Sequence, residues 1–158
     1  MRPLVGVLLA ASLALADLPP VLGQGLIIAQ SIEQTQAVDL ATVTQLPPVE
    51  QHVSFLTGHG MEQATYTGPL LWSLLDHAGS LGSDPRARLR RTVVVTGRDG
   101  YVAVLALAEI DPEFEGKQVI LAYRRDGQPL SGSELRLVVP NDRRGGRSVR
   151  DVVRIELR

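Results

Sequence analysis

One segment of the chain has the spacing of an amphipathic helix, whereas almost every other apolar run is short and strand-like. In PLLWSLLDHAG, residues 69–79, four leucines and an alanine recur at helical spacing. Gly68 is expected to cap this helix, with Pro69 at its first position and Gly79 just after its end. A single helix set apart from a series of strands predicts an α+β fold of mixed β-sheets with few short helices.

The remaining apolar runs are separated by turn signals. The pair Asp99-Gly100 stands between two strand-like runs, 89–96 and 101–107, and predicts a β-hairpin. Asp39 is expected to cap a short helical turn that is stopped by the prolines at 47 and 48. Further strands are expected at GLIIAQSI near residue 26 and at 49–56, 118–123, 135–139 and 152–157.

The charge of the chain argues against one class of partner. A length of 158 residues suits one domain, and the formal charge of -1 gives no general attraction for nucleic acid. Lys117 is the only lysine, so the basic charge is almost entirely arginine. Arginine suits planar, bidentate contacts with anions, which favours a small anionic ligand over a nucleic acid.

The chain contains no cysteine, which removes disulfides, thiolate metal ligands and cysteine nucleophiles. Its three histidines lack the close spacing of metal ligands, and no serine lies in a G-x-S-x-G context. No catalytic residue and no metal ligand is therefore predicted. A copper or zinc site at His59 with Met61 and Glu62 is an open alternative.

The first residues have the pattern of an export signal. Arg2 precedes the apolar run 4–16, and Ala14-Leu15-Ala16 fits the small-residue rule for cleavage. We expect residues 1–16 to be a signal peptide, with cleavage after residue 23 as the alternative. The mature domain, residues 25–158, is then periplasmic or otherwise exported, with no membrane span after cleavage.

Two polar segments are candidates for ligand contact. His59 lies between two glycines in TGHGMEQATYTG, residues 57–68, which is expected to be a polar loop. A later basic loop can present backbone N–H groups and forked side chains to an anion, through Arg143, Arg144, Arg147, Ser148 and Arg150. Asp111, Glu113 and Glu115 are expected to be solvated in a surface turn.

A series of short motifs resembles the molybdopterin-binding domain of the sulfite oxidase family, in its small, single-domain bacterial form. The match runs from about residue 30 to the end, and the order and spacing of the motifs carry it. The matching residues are Tyr66-Thr67-Gly68, Leu71-Trp72, Leu74-Leu75, Ala78-Gly79, Gly97 with Asp99-Gly100-Tyr101, Leu121-Ala122-Tyr123, 127–130, 135–140, Gly146 with Ser148-Val149-Arg150, and 154–157.

The resemblance implies mixed sheets around a cofactor cleft. In the family, a cysteine thiolate that binds molybdenum lies in the loop before the helix, and here that place is taken by 56–60. The family's S-V-K-W loop, which approaches the pterin, appears here as 146–151, with arginine for lysine and aspartate for tryptophan. The residues expected to contact a cofactor or ligand are His59, Tyr66, Arg143, Arg144, Arg147, Ser148 and Arg150.

Two functions follow from this combination. The first is a non-catalytic domain that binds a small anionic ligand or a periplasmic redox partner, because the metal-binding cysteine is missing. The alternative is a periplasmic oxidoreductase or redox subunit that holds molybdopterin without thiolate ligation. Soft thiolate ligation tunes such metal centres, so its loss should alter both affinity and potential.

Overall fold

A computed structural model describes residues 25–30 and 34–158. The predicted signal peptide, 1–16 or 1–23, lies outside the described residues. Within these two ranges, three β-sheets and a few short helices confirm the predicted α+β class. Within the described ranges, no helix combines the length and the apolar character needed to cross a bilayer.

The strands of the described residues are β1 (Leu26–Ala29), β2 (Thr35–Val38), β3 (Pro48–Thr57), β4 (Gly60–Pro69), β5 (Thr92–Gly97), β6 (Val102–Ala106), β7 (Ile120–Ala122), β8 (Arg124–Arg125), β9 (Gln128–Pro129), β10 (Arg136–Val138) and β11 (Val152–Leu157). The helices are α1 (Leu40–Gln45), α2 (Leu71–His77), α3 (Pro85–Arg88) and α4 (Leu107–Ile110), with 3-10 turns at Ser131–Ser133 and Gly145–Arg147.

The largest sheet has five strands in the order β2-β1-β11-β5-β6. Strand β11 runs parallel to β1 and antiparallel to β5, and the other pairs are antiparallel. One face of this sheet contributes Ile28, Val95, Leu105 and Ile155 to the main hydrophobic core. Burial of these branched side chains on one face fixes the register of the sheet.

A four-stranded sheet, β3-β4-β8-β9, and a two-stranded sheet, β10-β7, form the rest of the fold. Strands β3 and β4 make a long hairpin in which Thr57 pairs with Gly60, so Gly58 and His59 form a two-residue turn. The expectation of a polar loop over 57–68 is therefore wrong, since most of this segment is strand β4. The ladder with β3 satisfies its backbone although its side chains are polar.

Helix α2 confirms the predicted core face, with Leu71, Leu74 and Leu75 buried, but it starts later than expected. Gly68 and Pro69 belong to β4, and Gly68 is not a helix cap. A Cβ on Gly68 would lie 2.1 Å from the carbonyl oxygen of Leu121, so close packing of two chain segments explains this glycine.

Other local predictions can be compared directly with the structure. The Asp39 side chain accepts a hydrogen bond from the N–H of Thr42 at 2.7 Å, which confirms it as the cap of α1. The Asp99-Gly100 hairpin is confirmed between β5 and β6. Asp111, however, is fully buried and pairs with the Arg88 Nε at 2.7 Å, so its assignment to a solvated turn was wrong.

Candidate functional site

A cleft of about 460 Å³ opens between the tip of the β3–β4 hairpin and the basic loop before β11. Glycines and arginines dominate its walls. The lining residues are Leu56, Thr57, Gly58, His59, Arg136, Arg144, Gly145, Gly146, Ser148 and Arg150.

The basic loop is held against β3 by backbone contacts. The N–H of Leu56 donates to the carbonyl oxygen of Arg143 at 3.0 Å. Gly145 packs on the ring of Phe55, where an added Cβ would lie 2.8 Å from two ring carbons. The Tyr101 hydroxyl donates to the carbonyl oxygen of Gly146 at 2.6 Å. The two walls of the cleft are thus fixed relative to each other.

His59 lies at the tip of the hairpin, on the edge of the cleft. The Thr57 hydroxyl donates to the carbonyl oxygen of Gly60 at 2.9 Å and accepts from the N–H of His59 at 3.1 Å. Gly60 has a φ of 110°, a conformation that favours glycine. The turn therefore holds the His59 backbone firmly while its side chain stays exposed.

The floor of the cleft is formed by Arg136, a residue that the sequence reasoning missed. Its guanidinium is buried, and it donates to the Tyr66 hydroxyl and to the Ser148 Oγ at 3.3 Å. It also forms an ion pair with Glu62 at 3.0 Å. A lone arginine inside the apolar run LRLVV was a signal for this site, because a charge in such a strand must be paired.

Glu62 is the anionic centre of the floor. Its carboxylate accepts from the Tyr66 hydroxyl and lies 3.9 Å from both Arg125 and Arg150. Burial alone would raise the pKa of Glu62, but the Tyr66 hydrogen bond and the charges of Arg136 and Arg125 outweigh it and lower the pKa. Glu62 therefore stays ionised and fixes the arginines around it.

Two arginines at the cleft have donors to spare. Among the described residues, the Arg144 side chain has no hydrogen bond or ion pair. Arg150 is 64% exposed, and the long contact with Glu62 is its only ion pair to a described residue. In the part of the chain that the structure describes, no carboxylate lines the cleft. The cleft is therefore a concave, positively charged surface with forked donors available to an anion.

The structure brings together only part of the predicted set. His59, Arg144, Ser148 and Arg150 line the cleft, and Tyr66 lies beneath them in contact with Arg136.

Two predicted residues lie elsewhere. Arg147 pairs with Asp142 at 2.7 Å and with Glu109 at 2.9 Å, so it does not share the cleft with His59 and Arg150. Arg147 was expected to contact the ligand, but its ion pairs with Asp142 of the same loop and with Glu109 hold its side chain outside the cleft lining. Arg143 is exposed and contributes its carbonyl to β3, but its side chain is not part of the cleft lining.

A metal centre is not evident in this geometry. Across 25–30 and 34–158, no group of three or more histidine, cysteine, aspartate or glutamate side chains is placed to hold a metal ion. The residues that line the cleft offer hydrogen bonding and charge, from arginine, serine and glycine.

Comparison with known proteins gives one result for nearly all of the described chain. Residues 27–158 match the family model of the oxidoreductase molybdopterin binding domain. No curated protein matches the chain.

Proposed function

The chain belongs to the oxidoreductase molybdopterin-binding domain family, of the sulfite oxidase type, and from this premise we propose that its arginine-lined cleft binds a small anionic ligand without catalysing a redox reaction. The observation that carries this proposal is the pair Arg144 and Arg150, which border the cleft with unused donors.

The cleft suits an anion for three reasons. Arginine offers parallel N–H donors that match the oxygens of a phosphate, sulfate or carboxylate group. Gly145 and Gly146 have no side chains, so a ligand can approach the backbone between the two arginines. The carboxylates nearby are already paired, Glu62 with Arg136 and Asp142 with Arg147, and they do not neutralise the cleft.

The donor set fits one part of the family cofactor and not the other. Arg144 and Arg150, which have donors to spare, suit the phosphate of molybdopterin. The resemblance implies a cysteine thiolate as the metal ligand, but the chain has no cysteine and the hairpin turn offers Gly58 and His59 there. Imidazole is a harder ligand than thiolate, so the residues present do not fit a thiolate-held molybdenum. We assign no redox step to this site.

Titration calorimetry would test the anion proposal directly. The full chain is titrated with inorganic phosphate, with sulfate and with a short dicarboxylate, at low and high ionic strength. We expect saturable binding that weakens as salt is added, because the contacts are between charges. The absence of saturable heat and of any thermal shift with every anion would refute the proposal.

Family membership itself favours a second candidate, a molybdopterin-dependent oxidoreductase or redox subunit. The test is to produce the chain in a host that makes the molybdenum cofactor, and then to measure molybdenum by mass spectrometry and oxidised pterin by fluorescence. Near-stoichiometric molybdenum and pterin would support this candidate over the first. Protein that binds anions but contains neither would exclude it.

The cellular location is part of the proposal. Residues 1–16 have the pattern of a signal peptide, so we place the domain in the periplasm or in another exported compartment. In that compartment the cleft would meet a small anionic ligand or a periplasmic redox partner. Sequencing the N-terminus of protein recovered from a periplasmic extract would show cleavage after residue 16 or 23, whereas an intact N-terminus would contradict export with cleavage.

A further inference from the structure

Strand β6 forms one edge of the five-stranded sheet and lacks the charged residues, prolines and bulges that commonly protect an edge strand. Its sequence, VAVLA over Val102–Ala106, has no charge and no proline, and its register with β5 has no bulge. Proteins normally place charged residues, prolines or bulges on edge strands to prevent pairing with another chain. By contrast, edge strand β3 carries Pro48, Glu50 and His52.

The hydrogen-bonding groups of β6 show which residues are free. The N–H of Gly97 donates to Tyr101, and the N–H of Leu107 donates to Arg91. In an antiparallel pair such hydrogen bonds recur at every second residue, so the backbone N–H and C=O groups of Ala103 and Leu105 also point toward β5. The backbone groups of Val102 and Val104 therefore point away from the sheet, and within the described part of the chain they find no partner.

The side chains of the same two residues are exposed as well. Val102 and Val104 are 49% and 52% exposed, whereas Ala103 and Leu105 on the other face are buried. Next along the strand, the N–H of Ala106 is already satisfied by the Glu109 carboxylate at 3.2 Å. The open part of the edge is thus limited to Val102 and Val104, with a small alanine between them.

We propose that β6 pairs with β6 of a second copy of this chain, antiparallel and about a two-fold axis at Ala103. In this register Val102 lies opposite Val104 of the partner subunit, and each of these pairs exchanges both backbone hydrogen bonds. The free backbone N–H and C=O groups of Val102 and Val104 are then all satisfied. The N–H of Ala106, which Glu109 already caps, is not needed for this pairing. The exposed valines of the two copies form one apolar patch on the outer face of a continuous sheet.

The free backbone groups of β6 are arranged symmetrically about Ala103. This arrangement suits pairing with an identical strand. The dyad falls on Ala103, whose small side chain permits the close Cα approach of a pair without hydrogen bonds. The paired segment is short, so we expect a weak, concentration-dependent dimer instead of an obligate one. No β6 residue is part of the cleft lining, although Tyr101, next to the strand, donates a hydrogen bond to Gly146 of the cleft wall.

Sedimentation equilibrium of the full chain, from about 10 µM to about 500 µM, tests the interface. We expect the wild type to shift from monomer toward dimer, and V102K/V104K to weaken the association at least about tenfold by placing like charges together. Because these valines are half exposed, the variant should fold, which its melting curve checks. Q36K on the opposite edge strand, β2, is the matched control and should dimerise like the wild type.

A second variant tests the backbone pairing itself. V104P removes an N–H that faces away from β5, so it should weaken the dimer while leaving the β5–β6 ladder intact. A wild type that stays monomeric over the whole range would overturn the proposal. Dimerisation that is unchanged in V102K/V104K would overturn it equally, since the contact would then lie elsewhere.

Discussion

The hydroxyl of Tyr66 donates a hydrogen bond to the carboxylate of Glu62 beneath the cleft. The same oxygen accepts from Arg136, so three side chains share one buried polar network. Such networks are costly to leave half satisfied. The rigidity of the cleft floor therefore depends on groups that an anionic ligand does not have to touch.

Tyr66 should ionise only at strongly alkaline pH. Burial, together with the hydrogen bond to Glu62, raises the pKa of Tyr66 to about 12. An unfolded tyrosine ionises near about 10. The resulting stability is fully present below pH 10 and is lost as the pH rises toward 12. Spectrophotometric titration of tyrosinate should show a late phase that Y66F lacks, and an unchanged titration in Y66F would contradict this assignment.

Replacing Glu62 should destabilise the fold mainly above acidic pH. E62Q leaves the buried Arg136 without its counter-charge, which we expect to cost about 2–4 kcal/mol of unfolding free energy. Because the folded-state pKa of Glu62 is lowered, the contribution of the carboxylate is present above its unfolded pKa and is lost as the pH falls through the folded value.

Chemical denaturation of E62Q and wild type at neutral and acidic pH measures that difference. The gap between the two proteins should narrow in acid. E50Q, at an exposed position of β3, is the control and should stay within about 0.5 kcal/mol of wild type. A gap that is the same at both pH values would show that the charge of Glu62 is not what matters.

The arginines of the basic loop should differ in their effect on binding. R144Q and R150Q each remove a free forked donor from the cleft, and we expect each to weaken phosphate binding about tenfold, or about 1.4 kcal/mol. R147Q is the control from the same loop, because Arg147 is already paired with Asp142 and Glu109. Calorimetry should show near wild-type affinity for R147Q, and an equal loss in all three would mean that only net charge is sensed.

Neighbouring glycines of the cleft provide a matched pair. In G145A the new Cβ would lie 2.8 Å from the buried Phe55 ring, so the loop must move and the anion affinity should fall. In G146A the nearest atom, the Tyr101 hydroxyl, is 4.0 Å away, so the cleft should be retained. We expect G145A to lose about 1–3 kcal/mol of stability. Melting curves and phosphate titrations measure the stability and the anion affinity of both variants. Equal losses in G145A and G146A would contradict the prediction.

Gly68 should be the least replaceable glycine of the β3–β4 hairpin region. G68A places a Cβ 2.1 Å from the backbone oxygen of Leu121, which cannot move without separating β4 from β7. We expect a loss of about 3 kcal/mol or more. G58A, where no atom lies within 4 Å, should change stability little. Tolerance of G68A would mean that the two segments pack less tightly than the structure describes.

Much of the fold could be predicted because local patterns and tertiary structure agree. The strand 152–157, the Asp99-Gly100 hairpin and the Asp39 cap need no knowledge of the rest of the chain. The hairpin strand β4 was missed because its polar residues and glycines resemble a loop. It is a strand only because β3 lies beside it, which is a tertiary effect.

The site was less accessible to sequence reasoning. Arginine residues in one loop look alike in the sequence, and only the placement of Asp142 and Glu109 distinguishes the paired Arg147 from the free Arg150. Arg136 reaches the cleft from β10, a strand whose apolar sequence is typical of the hydrophobic core. Its partners Glu62 and Tyr66 come from a segment about seventy residues earlier, a distance that no local pattern spans.

The position of β11 between β1 and β5 has a consequence for how the chain is made. The hairpins β1–β2 and β5–β6 can form early during synthesis, but they cannot join until residues 152–157 emerge and insert between them. Until then both hairpins expose unpaired edges, and the closing contact spans more than a hundred residues, which slows folding. A chain of this topology therefore cannot complete its largest sheet before residues 152–157 are available to bridge the two hairpins.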